Sequence, residues 1–293
     1  MKEIINNKIL DNLSFNTLIP IKCVELNMFD LSYLDFEHNK ENNDEILSLK
    51  VFKKTHENIK HKVSAFSNSY LKYDLKKLHD IDLELMLNDT LINETVFLLN
   101  KEFLQNIYKL SNLTYKKTFN KIDKFFEFLY KLFNKEYTKQ IKLKNNQDLI
   151  RKILGESNKI AQYSRFGPAD FIIVNSKTSL LLQESNFCIY NKDDNKVINS
   201  NRNIYKIGKL ANLEVFVDPY MEYNDNSIYI GRKIKENQPG IYFSYNLNDT
   251  VIYKDLSFDN YSETNILETS SNFIELGNNP ENNYSKIVYK LKK

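Results

Sequence analysis

The chain has 293 residues, 42% hydrophobic and 27% charged, and its 41 basic side chains stand against 38 acidic ones for a formal net charge of +3. A chain of this length buries roughly 75% of the surface its unfolded form exposes, so the fold requires neither disulfides nor a structural metal, and one or two domains are expected. The positive excess lies in mixed-sign clusters with no long basic tract, which excludes a dedicated DNA-binding protein.

Cys23 and Cys188 are far apart and have no neighbouring metal-ligand partner, so neither a disulfide framework nor redox chemistry is expected. Glu3 and the polar residues after it interrupt the apolar core that a secretory signal needs. No later segment is an uncharged hydrophobic run of bilayer length, so a soluble protein without a membrane partner is expected.

In chain order, residues 1–34 hold short apolar runs (Ile4-Ile5, Ile9-Leu10, Leu18-Ile19) broken by Asn and Ser without a sustained helical period, which predicts an extended arm. Charge is dense over 35–62. The alternation Leu47-Ser48-Leu49-Lys50-Val51 and the polar turn Asn42-Asn43-Asp44 predict a long hairpin there. A two-stranded hairpin is marginal in water by itself, so a protruding one implies that something packs against it. Asp82 is placed to cap a helix over 83–110 with Leu83, Leu87, Leu91, Ile92, Val96, Leu99, Phe103 and Ile107 in apolar rows. At 1.5 Å per residue that is a rod of roughly 40 Å.

Phe119, Ile122, Phe125, Phe126, Leu129, Tyr130, Phe133 and Tyr137 recur at three- and four-residue spacing among lysines, which predicts a second amphipathic helix. A third is expected over 147–163. The breaker Gly167-Pro168 and the apolar strand Phe171-Ile172-Ile173-Val174 follow it, and Ser176 then caps a short helix. Past residue 186 the texture turns to short strands: Val197-Ile198, Leu213-Glu214-Val215-Phe216-Val217, Ser227-Ile228-Tyr229-Ile230, Gly240-Ile241-Tyr242-Phe243 and Val251-Ile252-Tyr253. The last, Ser285-Lys286-Ile287-Val288-Tyr289-Lys290-Leu291, reads as a strand with one buried face. The whole is an α+β protein.

The chemistry of the sequence is mostly negative. It contains no Gly-x-Gly-x-x-Gly, no phosphate loop and no Gly-x-Ser-x-Gly, and only six glycines. Of His38, His56, His61 and His79, only His56 and His61 are close; their spacing separates them on a helix or a strand, and they read as solvated loop histidines. The carboxylate pairs Asp82/Glu84, Asp193/Asp194 and Glu222/Asp225 read as caps and turns. The aromatic rows read as core packing. No catalytic, cofactor or metal site is assigned; an enzyme of unrecognised type would have to place Asp218, Tyr220 or His79 in a concave polar pocket.

Three stretches carry a resemblance. The first is Tyr73-Asp74-Leu75-Lys76-Lys77-Leu78-His79-Asp80-Ile81-Asp82-Leu83-Glu84, with Asn93-Glu94 and Asn100-Lys101-Glu102 after it. The second runs from Asn158-Lys159-Ile160-Ala161-Gln162 through Ser164-Arg165-Phe166-Gly167 to Phe171-Ile172-Ile173-Val174-Asn175-Ser176. The third, the most specific, is Gly208-Lys209-Leu210, Val215-Phe216-Val217-Asp218-Pro219-Tyr220, Ile230-Gly231-Arg232-Lys233 and Pro239-Gly240-Ile241-Tyr242-Phe243. In this order and at similar gaps they resemble the major capsid proteins of tailed bacteriophages, specifically the T4-like branch. The likeness spans roughly 63–250 and, more loosely, the remainder. Departures are Asn27-Met28-Phe29-Asp30 in place of a Pro-Gly turn, Pro168-Ala169-Asp170 in place of a second Gly and an Asn, and Ser244-Tyr245 in place of Ala-Pro-Tyr. The chain is also shorter than typical members, so a family insertion domain is expected to be missing.

The resemblance implies an α+β HK97-like capsid fold. Its parts would be an N-terminal arm over 1–34, an extended β-hairpin loop over 35–62, and a peripheral domain with a long spine helix over 63–147. An axial domain over 148–250 and C-terminal strands over 251–293 returning to the peripheral domain would complete it. It further implies a non-enzymatic major capsid protein that self-assembles as hexamers and pentamers into an icosahedral phage head around double-stranded DNA. The expected partners are copies of itself, a scaffolding protein, a portal, a decoration protein and the packaged DNA, in the virion and assembled in the host cytoplasm. Inter-subunit contacts are expected at Glu37, Lys40, Glu45, Lys53, Lys54, Glu57, Asp218, Tyr220, Arg232 and Lys233. The alternatives within the fold are a pentameric vertex protein and an encapsulin-like shell protein.

Overall fold

The computed structural model describes residues 2–41, 44–133, 137–185, 188–190, 204–257 and 262–291. In chain order its elements are α1 (Lys2–Asp11), β1 (Ile21–Val24), β2 (Met28–Glu41), β3 (Asp44–Glu57), β4 (Ile59–Asn68), α2 (Ser69–His79), α3 (Leu83–Lys117) and α4 (Lys121–Leu132). Then follow β5 (Ile141–Leu143), α5 (Asn146–Ser164), β6 (Phe171–Val174), α6 (Ser176–Gln183), β7 (Cys188–Tyr190), β8 (Tyr205–Leu210) and β9 (Leu213–Val217). The chain closes with β10 (Ser227–Gly231), β11 (Gly240–Asn246), β12 (Val251–Ser257), β13 (Ser262–Leu276), a 3-10 turn (Pro280–Asn283) and β14 (Tyr284–Leu291). Asn42, Asn43, Asp193, Asp194 and the Val197-Ile198 segment lie outside the described residues.

One unit comprises Met1–Glu102 and Ile234–Gly277. Its sheet is built on β13, which pairs along its first half with β12 on one side and β4 on the other, and along its second half with β11, which in turn pairs in parallel with β1. Phe15, Phe243 and Phe273 meet edge to face and tilted at 4.8 to 5.3 Å between centroids and fill the centre of this unit. The extended arm expected over 1–34 is corrected at its start, because residues 2–11 form α1. The helix exists because Ile5 and Ile9, one turn apart, bury on the same face as Asn6, whose side chain donates to the Leu247 carbonyl and accepts from the Tyr245 hydroxyl. Tertiary partners, rather than a long apolar period, hold it.

The other unit comprises Phe103–Lys233 and Asn278–Lys293. Its sheet has the order β5-β14-β10-β6-β9-β8-β7. Leu149, Ile150, Ile153 and Ile160 of α5 and Leu182 of α6 pack with Ile172, Val174, Val215, Val217, Ile228, Ile230 and Ile287 in one apolar cluster. The apolar run of β6 is buried at every position, as befits a strand between two neighbours and under helices. The cap of α6 is Asn175, not Ser176, since the Asn175 Oδ1 accepts from the Thr178 N–H at 2.8 Å. The closing strand has two buried faces rather than one: Ser285, Ile287 and Tyr289 bury on one side, Tyr284 and Val288 on the other.

Helix α3 is longer than expected, at 35 residues, and begins where the sequence predicts: Asp82 Oδ1 accepts from the N–H groups of Glu84 and Leu85. Helix α4 stops before Tyr137, and its aromatic row is not core packing. Ile122, Phe125, Phe128, Leu132 and Phe133 are 59 to 74% exposed.

Candidate functional site

Strands β2 and β3 pair over their whole length, from Met28 opposite Glu57 to Glu41 opposite Asp44, and form a sheet of their own with no third strand among the described residues. The root of this ribbon is clamped by polar side chains. The Asn58 N–H donates to the Asn27 carbonyl at 2.9 Å, closing the base. From β11, Ser244 Oγ donates to Asn58 Oδ1 and Asn246 Nδ2 donates to Asn27 Oδ1 at 3.0 Å; from β13, Asn272 Nδ2 donates to the Glu57 carbonyl at 2.7 Å. Ser244, Asn246 and Asn58 are buried, so each bond replaces water that cannot reach the groups. The ribbon therefore leaves its unit from a fixed root.

The ten residues expected at contacts divide between this ribbon and a loop of the other unit. Glu37, Lys40 and Glu45 occupy the distal ribbon, with Lys40 directly opposite Glu45 and Glu37 opposite Ser48; their side chains lie outside the described set. Lys53, Lys54 and Glu57 are exposed on β3. Lys53 bonds Asp30 at 2.6 Å, and together with the Thr55 hydroxyl it holds the Asp30 carboxyl below the usual carboxylate range. The two histidines are not solvated loop residues: His56 sits on β3 and His61 on β4, both half-buried. Burial, and then Lys54, push the His56 imidazole below its ordinary value, which favours the neutral ring.

Asp218 and Arg232 turn inward, 3% and 4% exposed. Asp218 accepts from the Tyr108 hydroxyl at 2.7 Å and from the Tyr220 N–H at 2.8 Å. Arg232 donates through Nε to Asn283 Oδ1 at 3.0 Å and lies over the Phe166 ring. Lys233 is half-buried and bonds Glu214 at 3.0 Å. Tyr220 alone of these four points outward, at 55% exposure, beside the equally open Tyr223. The loop carrying both tyrosines is pinned by Asn175, whose Nδ2 lies within 3.0 Å of the carbonyls of Glu222, Tyr223 and Asp225. Sequence reasoning missed Asn175 and the root asparagines Asn58, Asn246 and Asn272. In a chain so rich in Asn, only the N-cap spacing from Asn175 to Thr178 offered a signal.

These are devices for presenting surface, not for chemistry. Among the described residues no group of three or more His, Cys, Asp or Glu is placed to hold a metal ion, and no helix is long and apolar enough to cross a membrane. One surface concavity of about 370 Å³ is lined by Lys72, Tyr73, Lys76 and Lys77, away from Asp218, Tyr220 and His79 in its lining.

The family model described as "Major capsid protein Gp23" matches residues 42–245, more than half of the chain. The chain belongs to that family. A search of curated proteins finds no match to the sequence. Among solved structures the chain is similar to the capsid of the cyanophage P-SCSP1u, with 9% identity, 96% of this chain and 89% of that one covered and a TM-score of 0.55. It is also similar to a chain of the satellite phage P4 procapsid that includes the size determination (Sid) protein, with 11% identity, both chains covered completely and a TM-score of 0.52. A virus-like particle from Pyrococcus furiosus aligns over 97% of this chain and 98% of that one, with 10% identity and a TM-score of 0.50. The fold is the HK97-like capsid fold, and the protein is a structural component of an icosahedral bacteriophage shell built from copies of itself in the virion, not an enzyme.

Proposed function

We propose that this chain is the major capsid protein of a T4-like tailed phage, assembling in the host cytoplasm as hexamers and pentamers around double-stranded DNA, with a scaffolding protein, a portal and a decoration protein as partners. The observation that carries the reading is the rooted ribbon β2–β3. A two-stranded sheet without a third strand cannot bury an apolar face in its own chain, and a shell of many copies supplies the missing surface. In this reading 1–34 is the arm, 35–62 the extended loop, 63–147 the peripheral domain, 148–250 the axial domain and 251–293 the returning strands. Contacts between copies run through Glu37, Lys40, Glu45, Lys53, Lys54, Glu57 and Tyr220, while Asp218, Arg232 and Lys233 act by holding the surface that carries Tyr220 and its surroundings.

The test is electron microscopy of particles from cells that express the chain with its neighbouring genes. Shells with both hexamers and pentamers enclosing DNA support the proposal. Shells with pentamers alone, or shells loaded with protein cargo, overturn it in favour of a vertex or encapsulin-like role.

A further inference from the structure

Helix α4 is turned inside out. Its polar edge is the side held by its own chain: Asp123 is buried, accepts from the Tyr137 hydroxyl and pairs with Lys139 at 2.6 Å, and Glu127 lies near Lys116 and Lys131. Its apolar edge faces out. Phe125, Phe126, Phe128 and Phe133 are 41 to 74% exposed, with Ile122 and Leu132 beside them. At 150–250 Å² per aromatic side chain, the four phenylalanines alone leave on the order of 500 Å² open. That is as large as the biggest patch of a typical monomer and more than half of the roughly 800 Å² per partner of a standard interface. Lys121 and Lys124 rim the face and form no ion pair among the described residues.

Three apolar surfaces of a second copy could cover it, and charge decides among them. A second α4, laid antiparallel, sets Lys121 and Lys124 against its Lys131. The exposed Tyr70, Tyr73 and Leu78 of α2 come with Lys72, Lys76 and Lys77. Both are like-charge arrangements, which cost binding. The distal ribbon is opposite in sign, with Asp35, Glu37, Glu41, Asp44 and Glu45 against Lys40. Its register also places Leu34, Phe36, Leu47, Leu49 and Val51 at positions that share one face, since directly paired residues of a ribbon lie on the same side. At about 3.3 Å per residue its 14-residue strands reach about 46 Å, enough to cross to a neighbour. We propose that the outward aromatic face of α4 is the seat for the apolar face of the distal β2–β3 ribbon of a second copy of this chain. The proposal rests on the capsid reading and names the surface that receives the ribbon.

Charge reversal tests it in the full chain. Lys121→Glu with Lys124→Glu lies in the first turn of α4, where negative charge favours the helix, so folding is preserved, and circular dichroism of the unassembled protein checks this. The yield of assembled particles is expected to fall about tenfold, and Glu37→Lys with Glu41→Lys in the same chain is expected to restore it. Three results count against it, each in its own way. Wild-type protein that never forms shells overturns the capsid reading and this inference with it. Wild-type shells with an equally efficient reversed variant overturn only the role of the α4 face. A reversed variant that fails and is not restored assigns the face to another occupant, whether a different surface of the second copy or a different protein.

Discussion

Tyr108 donates its hydroxyl proton to Asp218 Oδ2 at 2.7 Å, tying α3 to the start of the loop that presents Tyr220. Burial and the adjacent carboxylate both hold the Tyr108 phenol neutral far into the alkaline range, so it remains a donor at any physiological pH. Tyr108→Phe keeps the ring, 4.1 Å from that of Tyr229, and removes only the donor. Leaving a buried carboxylate short of a partner is expected to cost about 1–3 kcal/mol, read as a lower urea midpoint with an unchanged slope.

Two glycines predict opposite signs. A Cβ on Gly231 would lie 2.3 Å from Phe171 Cζ, the end of a ring that is itself fully buried and cannot yield. Gly231→Ala is expected to destabilise by about 1–3 kcal/mol through overpacking. Gly155 lies exposed inside α5 with nothing within 4 Å of an added Cβ, so Gly155→Ala is expected to stabilise by about 0.5–1 kcal/mol. Thermal melts of the two variants check both signs.

The ribbon root gives a dynamic prediction. Asn272→Ala removes the donor to the Glu57 carbonyl, at a cost of about 1 kcal/mol. The loss is local, so hydrogen exchange is expected to accelerate in β2 and β3 while β6 and β9 keep their protection.

Alkaline pH should destabilise the chain. Burial pushes the phenols of Tyr115 and Tyr245 up to about 12, above their ordinary value near 10. The folded chain therefore holds protons that the unfolded chain has lost. The stability these groups contribute is fully present below about pH 10 and disappears as pH rises toward 12. Melting temperatures measured from pH 8 to 11.5 should be flat at first and then fall, and Tyr245→Phe should reduce the fall.

Much of the fold can be read in the sequence where the physics is local. The cap at Asp82, the leucine rows of α3, the apolar run of β6 and the alternation in β3 are patterns a chain makes by itself. What could not be read depends on partners. Helix α1 is set by Asn6 reaching Leu247 and Tyr245, and β13, with polar residues at both ends and Ser270-Ser271 at its middle, is a strand because β4, β11 and β12 bind its edges. The aromatic row of α4 has the period of a core helix, yet it is exposed. Periodicity reports that a face is apolar, and it does not say whether the chain's own core or another molecule covers it. The ribbon was visible as a hairpin needing support; the asparagines that root it were hidden by the abundance of Asn.

Cryo-electron microscopy of the concentrated full-length protein tests the central claim most directly. The account predicts closed shells or hexameric sheets in which residues 28–57 of each copy lie on a neighbouring copy. Protein that remains in small discrete particles at every concentration, with the ribbon packed on its own chain, would contradict it.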